Sequence, residues 1–363
     1  LRRQPFLPFF VVSGSWISGR LALSALEDAL NAVVARHGAL RAAIGPSART
    51  IPADRAAALE AYVRTGACRS EIYTQSLRDD VRVVLRERML GAAPADRDAE
   101  IAALVDEECA ASFELDRPPS MRAMLLTRRG SESLLVTVWP HLISDGWSTQ
   151  VFRSELQREY ARLVAGLPTT PAVPFSYEQF AAAQHEQAKA GHFRHALDFW
   201  REQWQRLEAE QWGRSELPFS SPVRQRSGQG DVTMNTAQEA LSLGPAMSAA
   251  LKTRARESGV TLFMYCLAAC GVCLHRLTGR ARIPIWTNFA NRTPLTSHTL
   301  GWLANTHLVG VEIDADATCD ELVQRTRRIV LEAAAAQELP LTLLWRTLGK
   351  SLISGVGIAF DFD

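Results

Sequence analysis

Lysine is nearly missing from this 363-residue chain: Lys189, Lys252 and Lys350 stand among 40 basic residues, and the rest are arginine. With so much alanine beside it, that excess reads as codon bias rather than an arginine-rich recognition surface. Against 39 acidic residues the net charge is +1, so no whole-chain field holds nucleic acid or anionic lipid, and neither is an expected partner. Six cysteines in so long a chain are too few for a disulfide scaffold, and no signal sequence opens it. The longest apolar run, Val260 to Leu274, stops at His275-Arg276, short of the ~20 residues a membrane span needs. There is no phosphate-binding loop, dinucleotide fingerprint or G-x-S-x-G, so ATP, NAD and serine-hydrolase readings lack support. What is present is a globular composition, 47% hydrophobic and 22% charged, at a length that fits two packed domains of ~100–200 residues. A cytoplasmic, two-lobed protein is the expectation. The chain starts without Met and stops inside a strand-like run, Gly355 to Asp363, so further residues are expected beyond its ends.

Helical and strand periods alternate along the first third. Phe9 to Ile17 reads as a strand. Ser24 with Glu27 three residues on reads as a capping box opening a helix to about His37, with Leu26, Leu30, Val33 and Val34 on one face. Pro46 to Leu77 is alanine-rich and weakly helical. Val81 to Leu85 suits a strand and Asp96 to Ala111 a helix. Met121 to Thr127 and Ser133 to Trp139 read as a hairpin turning at Arg128-Arg129-Gly130, followed by a helix from Trp147 to about Val164. Pro168, Pro171 and Pro174 mark a break. Tyr177 to Leu207 is polar and helical, interrupted near Gly191, and Leu217 to Gly230 is a second break. Beyond it lie a strand (Ala237 to Leu243), helices (Ala246 to Ser258 and Leu262 to Leu277), strands (Ile283 to Asn288 and His307 to Ile313) and a helix (Cys319 to Gln337). The expected division is a first lobe over 1–175, linker helices over 176–230 and a second lobe over 231–363 with an incomplete end. Both lobes mix sheet and helix in similar order.

The densest chemistry lies in Trp139-Pro140-His141-Leu142-Ile143-Ser144-Asp145-Gly146-Trp147-Ser148. A strand ends at Trp139, a tight turn carries His141, and a helix starts beyond Gly146. Such turns expose a side chain beside backbone N–H groups that face a ligand, and an imidazole there can accept or donate a proton near neutral pH. Gly146 permits a positive φ and close approach of a substrate. The bland alternative is a surface histidine with Asp145 capping the helix.

Other segments change that weighing. Arg36-His37-Gly38-Ala39-Leu40-Arg41 closes the first helix. Phe113-Glu114-Leu115 with Pro119 and Arg122 leads into the hairpin. Asn291-Arg292-Thr293-Pro294 follows one second-lobe strand, and Gly301-Trp302-Leu303-Ala304-Asn305-Thr306 precedes another. In this order the set resembles the condensation domains of nonribosomal peptide synthetases, with their HHxxxDG core, RHExLR, FDL-x-x-x-PLxR, NR-x-x-P and IGxFxNT segments. Tyr177 and Phe199-Trp200 are similar to the YxDY…YW linker helices. The resemblance covers nearly the whole chain.

The resemblance implies an α/β (α+β) fold of two chloramphenicol-acetyltransferase-like lobes, set as a V around a central tunnel. It implies a condensation-type acyltransferase that joins a carrier-bound acyl or peptidyl thioester to an amine, or to a hydroxyl. The partners it implies are donor and acceptor peptidyl carrier proteins, or an acyl carrier protein. Substrates ride on phosphopantetheine, and no tightly bound cofactor or metal is expected. His141 matches the second, functional histidine of the motif; whether it deprotonates the acceptor or hydrogen-bonds it stays open. Gly146 matches the glycine whose N–H lies near the developing oxyanion, and Asp145 matches the structural aspartate, with Arg292 as its candidate partner. Trp147, Ser148 and, in the terminal strand, Asp361 are candidate tunnel residues.

Several positions depart from the pattern. Pro140 replaces the first histidine, so His141 is expected to take its orienting hydrogen bond from a backbone carbonyl of its own turn. Gly38 replaces an acidic residue, Pro46 to Leu77 exceeds the family's connection, and the N-terminal S-x-A-Q motif is missing. Two rivals remain: a non-catalytic condensation-like domain that recruits enzymes or carriers, and a CoA-dependent acyltransferase of the same superfamily, which would show a basic patch for nucleotide phosphates. Cys266, Cys270 and Cys273 are expected to be small buried hydrophobes rather than metal or redox ligands. His185, His192 and His195 read as a solvated face, and Trp200 and Trp204 as core.

Overall fold

The first lobe is built on a sheet whose strands follow the alternating and wholly apolar runs of the sequence. The computed structural model describes residues 10–46, 73–91, 96–128, 132–170, 175–209, 243–348 and 356–357. The expected break at 217–230, the strand at 237–243, Asp361 and most of the stretch from 46 to 77 lie outside them. Strand β1 (Phe10–Ser18) pairs antiparallel with β6 (Glu132–Pro140), β6 with β5 (Arg122–Thr127), and β5 lies parallel to β4 (Leu85–Met89). The sheet order is therefore β1-β6-β5-β4.

Both faces of this sheet are covered over its middle strands, which is why β5 and β6 are largely apolar, with Thr137 a buried polar exception. Ala123, Leu125 and Leu135 face α1 (Leu23–Arg36), the short α2 (Gly38–Arg41) and α4 (Gly146–Val164). Met124, Leu126, Leu134, Val136 and Val138 face α3 (Arg97–Ala110), through Ile101, Leu104 and Val105. Outside this sheet, β2 (Ala42–Pro46) pairs with β3 (Tyr73–Leu77). The last five residues of the stretch read as weakly helical are thus strand. Tyr and Thr at its start favour an extended backbone, and β2 offers a ladder to complete it.

Two boundaries differ from the sequence reading for local reasons. Helix α1 has Ala22, not Ser24, at its N-cap, with no side-chain cap. The Ala22 N–H donates to the Tyr160 hydroxyl (3.0 Å), and Glu27 accepts from the Leu85 N–H (3.2 Å) instead of closing a capping box. Strand β4 begins at Leu85 rather than Val81. The Asn31 side chain takes both backbone groups of Val83, at 2.8 and 2.9 Å, and a ladder needs those groups.

In the second lobe β7 (Arg282–Phe289) lies between β8 (Asn305–Glu312), antiparallel, and β9 (Val356–Gly357), parallel. Around it pack α6 (Arg194–Ala209), α7 (Pro245–Glu257), α8 (Leu262–Thr278), α9 (Cys319–Ala335) and α10 (Leu341–Leu348). Trp200 and Trp204 of α6 are each 1% exposed in this core, with Leu267, Ile283, Ile285 and Leu308. The helices between the lobes part company: α5 (Tyr177–Lys189) packs on α2 and sends Tyr177 to the first core, whereas α6 belongs to the second. Cys266 and Cys270 are half-buried and Cys273 is exposed, so this row is not the buried set expected. It turns outward because α8 gives Met264, Leu267, Ala268 and Gly271 to the core instead. No single helix among the described residues is long and apolar enough to cross a membrane.

Candidate active site

Strand β6 delivers the chain to the site. At Pro140 it runs into a single 3₁₀ turn, His141–Ile143, and α4 starts at Gly146. Asp145 is the N-cap: its carboxylate accepts from the Ser148 N–H (2.9 Å), and the Ser148 hydroxyl closes the box. Asp145 therefore does cap the helix, as the bland reading has it. It also does more.

Asp145 is 1% exposed and faces the second lobe. Arg292, from the loop after β7, brings Nη2 within 2.8 Å of both carboxylate oxygens. Two backbone N–H groups, of Leu303 and Ala304, donate to Asp145 Oδ2 at 3.0 Å each. Arg292 Nη1 reaches the carbonyls of Thr296 and Thr299 and its Nη2 also that of Gly301, while Nε, likewise buried, has no partner among the described residues. Burial lowers the Arg292 guanidinium from its ordinary value while the Asp145 charge works the other way. The carboxylate is bonded at both oxygens and the guanidinium lacks a partner only at Nε, so most of the desolvation cost is offset. Asn291 stands just before Arg292 with φ 51, and its side-chain amide donates to the Leu303 carbonyl (3.0 Å).

The candidate residues separate on inspection. His141 is half-buried at the seam, 4.9 Å from the Trp302 ring with 60° between the planes. Its Nδ1 is buried and has no hydrogen-bond partner among the described residues. The expected bond to a carbonyl of its own turn is not formed: the Pro140 carbonyl takes the Ser144 hydroxyl and the His141 carbonyl takes the Ser144 N–H. Gly146 is exposed with open space where a Cβ would sit, and its φ is not positive. Room for a close approach is kept there, while the conformational need for glycine is not, because Gly146 is already the first helical residue. Trp147 is 41% exposed and donates through Nε1 to the Ser297 carbonyl across the seam. Ser148 is fully buried, its hydroxyl bonded to Asp145 and to both backbone groups of Gly301, so it ties the lobes together and lines no open passage.

The other motif residues are structural. Arg36 reaches Glu155 and Glu159 of α4 at 2.6 and 2.5 Å, and His37 reaches Glu155 at 2.9 Å, all buried. Burial would raise the Glu155 carboxyl, but His37 and Arg36 outweigh it and hold it below its ordinary value. Arg122 donates to the carbonyls of Glu108, Ala111 and Ser112 and lies over the Phe113 ring. His185, His192 and His195 are exposed, with His192 near Glu338. The sequence reading passed over Trp302. Its only signal was a large aromatic at a variable position of the Gly301-to-Thr306 segment.

A family model described as the condensation domain matches residues 69–353 of this chain. One of the linear gramicidin synthase proteins of Brevibacillus parabrevis is 29% identical over 336 residues, 92% of this chain and 4% of that protein. Phosphinothricin tripeptide synthetase PhsC of Streptomyces viridochromogenes is 29% identical over 345 residues, 94% of this chain and 29% of that protein. This chain thus spans less than a third of either relative. Among solved structures, the first condensation domain of the calcium-dependent antibiotic synthetase superposes with a TM-score of 0.74 at 19% identity, over 97% of this chain and 75% of that one. That likeness establishes the same fold, the two-lobed arrangement of mixed helix and sheet.

Proposed function

The chain belongs to the condensation-domain family, and from that premise we propose that it is a condensation-type acyltransferase. It joins an acyl or peptidyl thioester on one carrier protein to an amine presented on a second, with a hydroxyl acceptor as the ester-forming variant. The observation that carries the reading is the half-exposed imidazole of His141 at the seam, beside the open backbone of Gly146. The acceptor nitrogen attacks the thioester carbonyl, the C–N bond forms and the C–S bond breaks. His141 takes the amine proton or holds it in a hydrogen bond, and the sulfur leaves as the phosphopantetheine thiol carrying that proton. The Gly146 N–H, at the start of α4, donates to the carbonyl oxygen as it gains charge. Asp145 and Arg292 are spent on each other and on the seam. Donor and acceptor carrier proteins are the partners, and no bound cofactor is required. A CoA thioester would need cations for its nucleotide phosphates, and Arg292 at the seam is already committed to Asp145.

One observation favours a second reading, a non-catalytic domain that recruits carriers: His141 Nδ1 lacks a hydrogen bond among the described residues where Pro140 replaces the family's first histidine. The experiment that separates the two mixes the protein with two carrier proteins, one charged with acetyl-alanyl and the other with alanyl thioester. Intact-mass detection should find acetyl-alanyl-alanyl on the acceptor carrier. His141→Ala should lower turnover by ~10²–10⁴. Turnover within threefold of wild type at unchanged melting temperature would remove His141 from the chemistry. Carrier binding without any product would support recruitment.

A further inference from the structure

Trp302 is half-exposed, at 45%, and so contributes little to a core. Yet the backbone on either side of it is held more tightly than its surface position needs. Before it, the Gly301 N–H donates to the Ser148 hydroxyl (3.1 Å) and the Gly301 carbonyl accepts from Ser148 and Arg292. After it, the Leu303 and Ala304 N–H groups both end on Asp145 Oδ2. The Tyr177 hydroxyl donates to the Trp302 carbonyl itself (3.3 Å). Gly301 admits this closeness: a Cβ there would sit 2.1 Å from the Tyr177 ring. The loop's position is thus fixed from the first lobe by the aspartate four residues after His141, and the loop returns an indole to the imidazole at 4.9 Å.

We infer that Trp302 is a positioning residue for His141, restricting by ring contact an imidazole whose Nδ1 has no hydrogen bond among the described residues. The inference rests on the proposed role of His141. A histidine ordinarily has its ring orientation and tautomer set by a bond from its second nitrogen; here Nδ1 has none. An indole against the ring restricts its rotation instead, and aromatic pairs in tilted geometry attract beyond the area they bury. Asp145 then acts on His141 through the other lobe, by placing Trp302.

The test follows the imidazole resonances of histidine-labelled protein, assigned through His141→Ala, in wild type, Trp302→Ala and Trp302→Phe. Trp302→Ala should shift the His141 ring signals by removing the indole's ring current and should average its side-chain couplings between rotamers. Trp302→Phe should restore a single rotamer. On the charged carriers, Trp302→Ala should lower kcat by ~10–100-fold, the scale of a small misplacement of a reacting group, with KM within threefold, and Phe should recover most of it. In a His141→Ala background the same change should cost nothing further. Unchanged His141 couplings in Trp302→Ala would overturn the proposal, as would a loss confined to KM or one that persists without His141. Wild-type turnover in His141→Ala would remove the functional reading instead, and the His141 couplings alone would then uphold or overturn the positioning.

Discussion

At His307 a titratable ring has been taken out of water with nothing to bond. The side chain is fully buried, stacked on Trp200 with ring centroids 4.2 Å apart and planes within 10°, and among the described residues neither nitrogen has a hydrogen-bond partner. Burial lowers its pKa to about 4, and the nearby backbone of Gln337 and Leu339, outside hydrogen-bonding geometry, offsets only part of that. The unfolded chain takes up the proton near the ordinary value of 6.5 and the folded chain only near 4. The native state is therefore stabilised above pH 6.5, and that contribution is lost as the pH falls toward 4. Between pH 7.5 and 5.0 the loss should be about 2 kcal/mol. His307→Leu should remove that part of the pH dependence in urea unfolding; an equal drop in both proteins would show that the proton goes elsewhere. A sequence reading finds a histidine in an apolar strand readily. It cannot find that the indole of Trp200, a hundred residues earlier, is what lies against it.

The elements themselves were legible wherever one pattern dominated. The hairpin β5–β6, helix α4 and the pair α5–α6 stand within a residue or two of their expected bounds, because periodicity and breakers agreed. What failed depended on partners from far along the chain: Tyr160 at the start of α1, and Asn31 on the backbone of Val83. The junction of α2 with α5 is a third such case. Gly38 stands where the resembled family carries an acidic residue, and the space beside it is filled by a carboxylate from elsewhere. A Cβ at Gly38 would sit 2.1 Å from Glu178 Oε1, itself buried and without a partner among the described residues. Gly38→Ala should therefore displace the end of the flexible Glu178 side chain, at a cost below the ~1–3 kcal/mol of an overpacked rigid core, and the cost should vanish in a Glu178→Ala background. Additive costs in that double-mutant cycle would mean that the two positions do not compete for the same space.

For the molecule as a whole, the sequence made the pairing of Asp145 with Arg292 a reasonable guess from the motif order, since both residue types stand at matching positions. The two donors on Asp145 from Leu303 and Ala304, and the burial of Ser148 beside it, were beyond sequence because they come from backbone N–H groups and from packing. Asp145→Asn leaves Arg292 buried without its counter-charge, at a cost of ~3–5 kcal/mol. The melting temperature should fall by ~5–10 °C, while His141→Ala, one turn away, should leave it nearly unchanged. Equal melting of the two variants would show that the seam does not depend on this pair. Near the pair in sequence stands Leu300, on a second-lobe loop yet 1% exposed and part of the first lobe's core cluster, to which Leu26 and Ile143 also belong. It is a peg set in the other lobe's socket. To part the lobes at this corner, the peg must be drawn into water, at ~1.5–3 kcal/mol, just as the ion pair breaks. Resistance of that kind rises abruptly, like a mechanical stop, because the ion pair and the peg give way together.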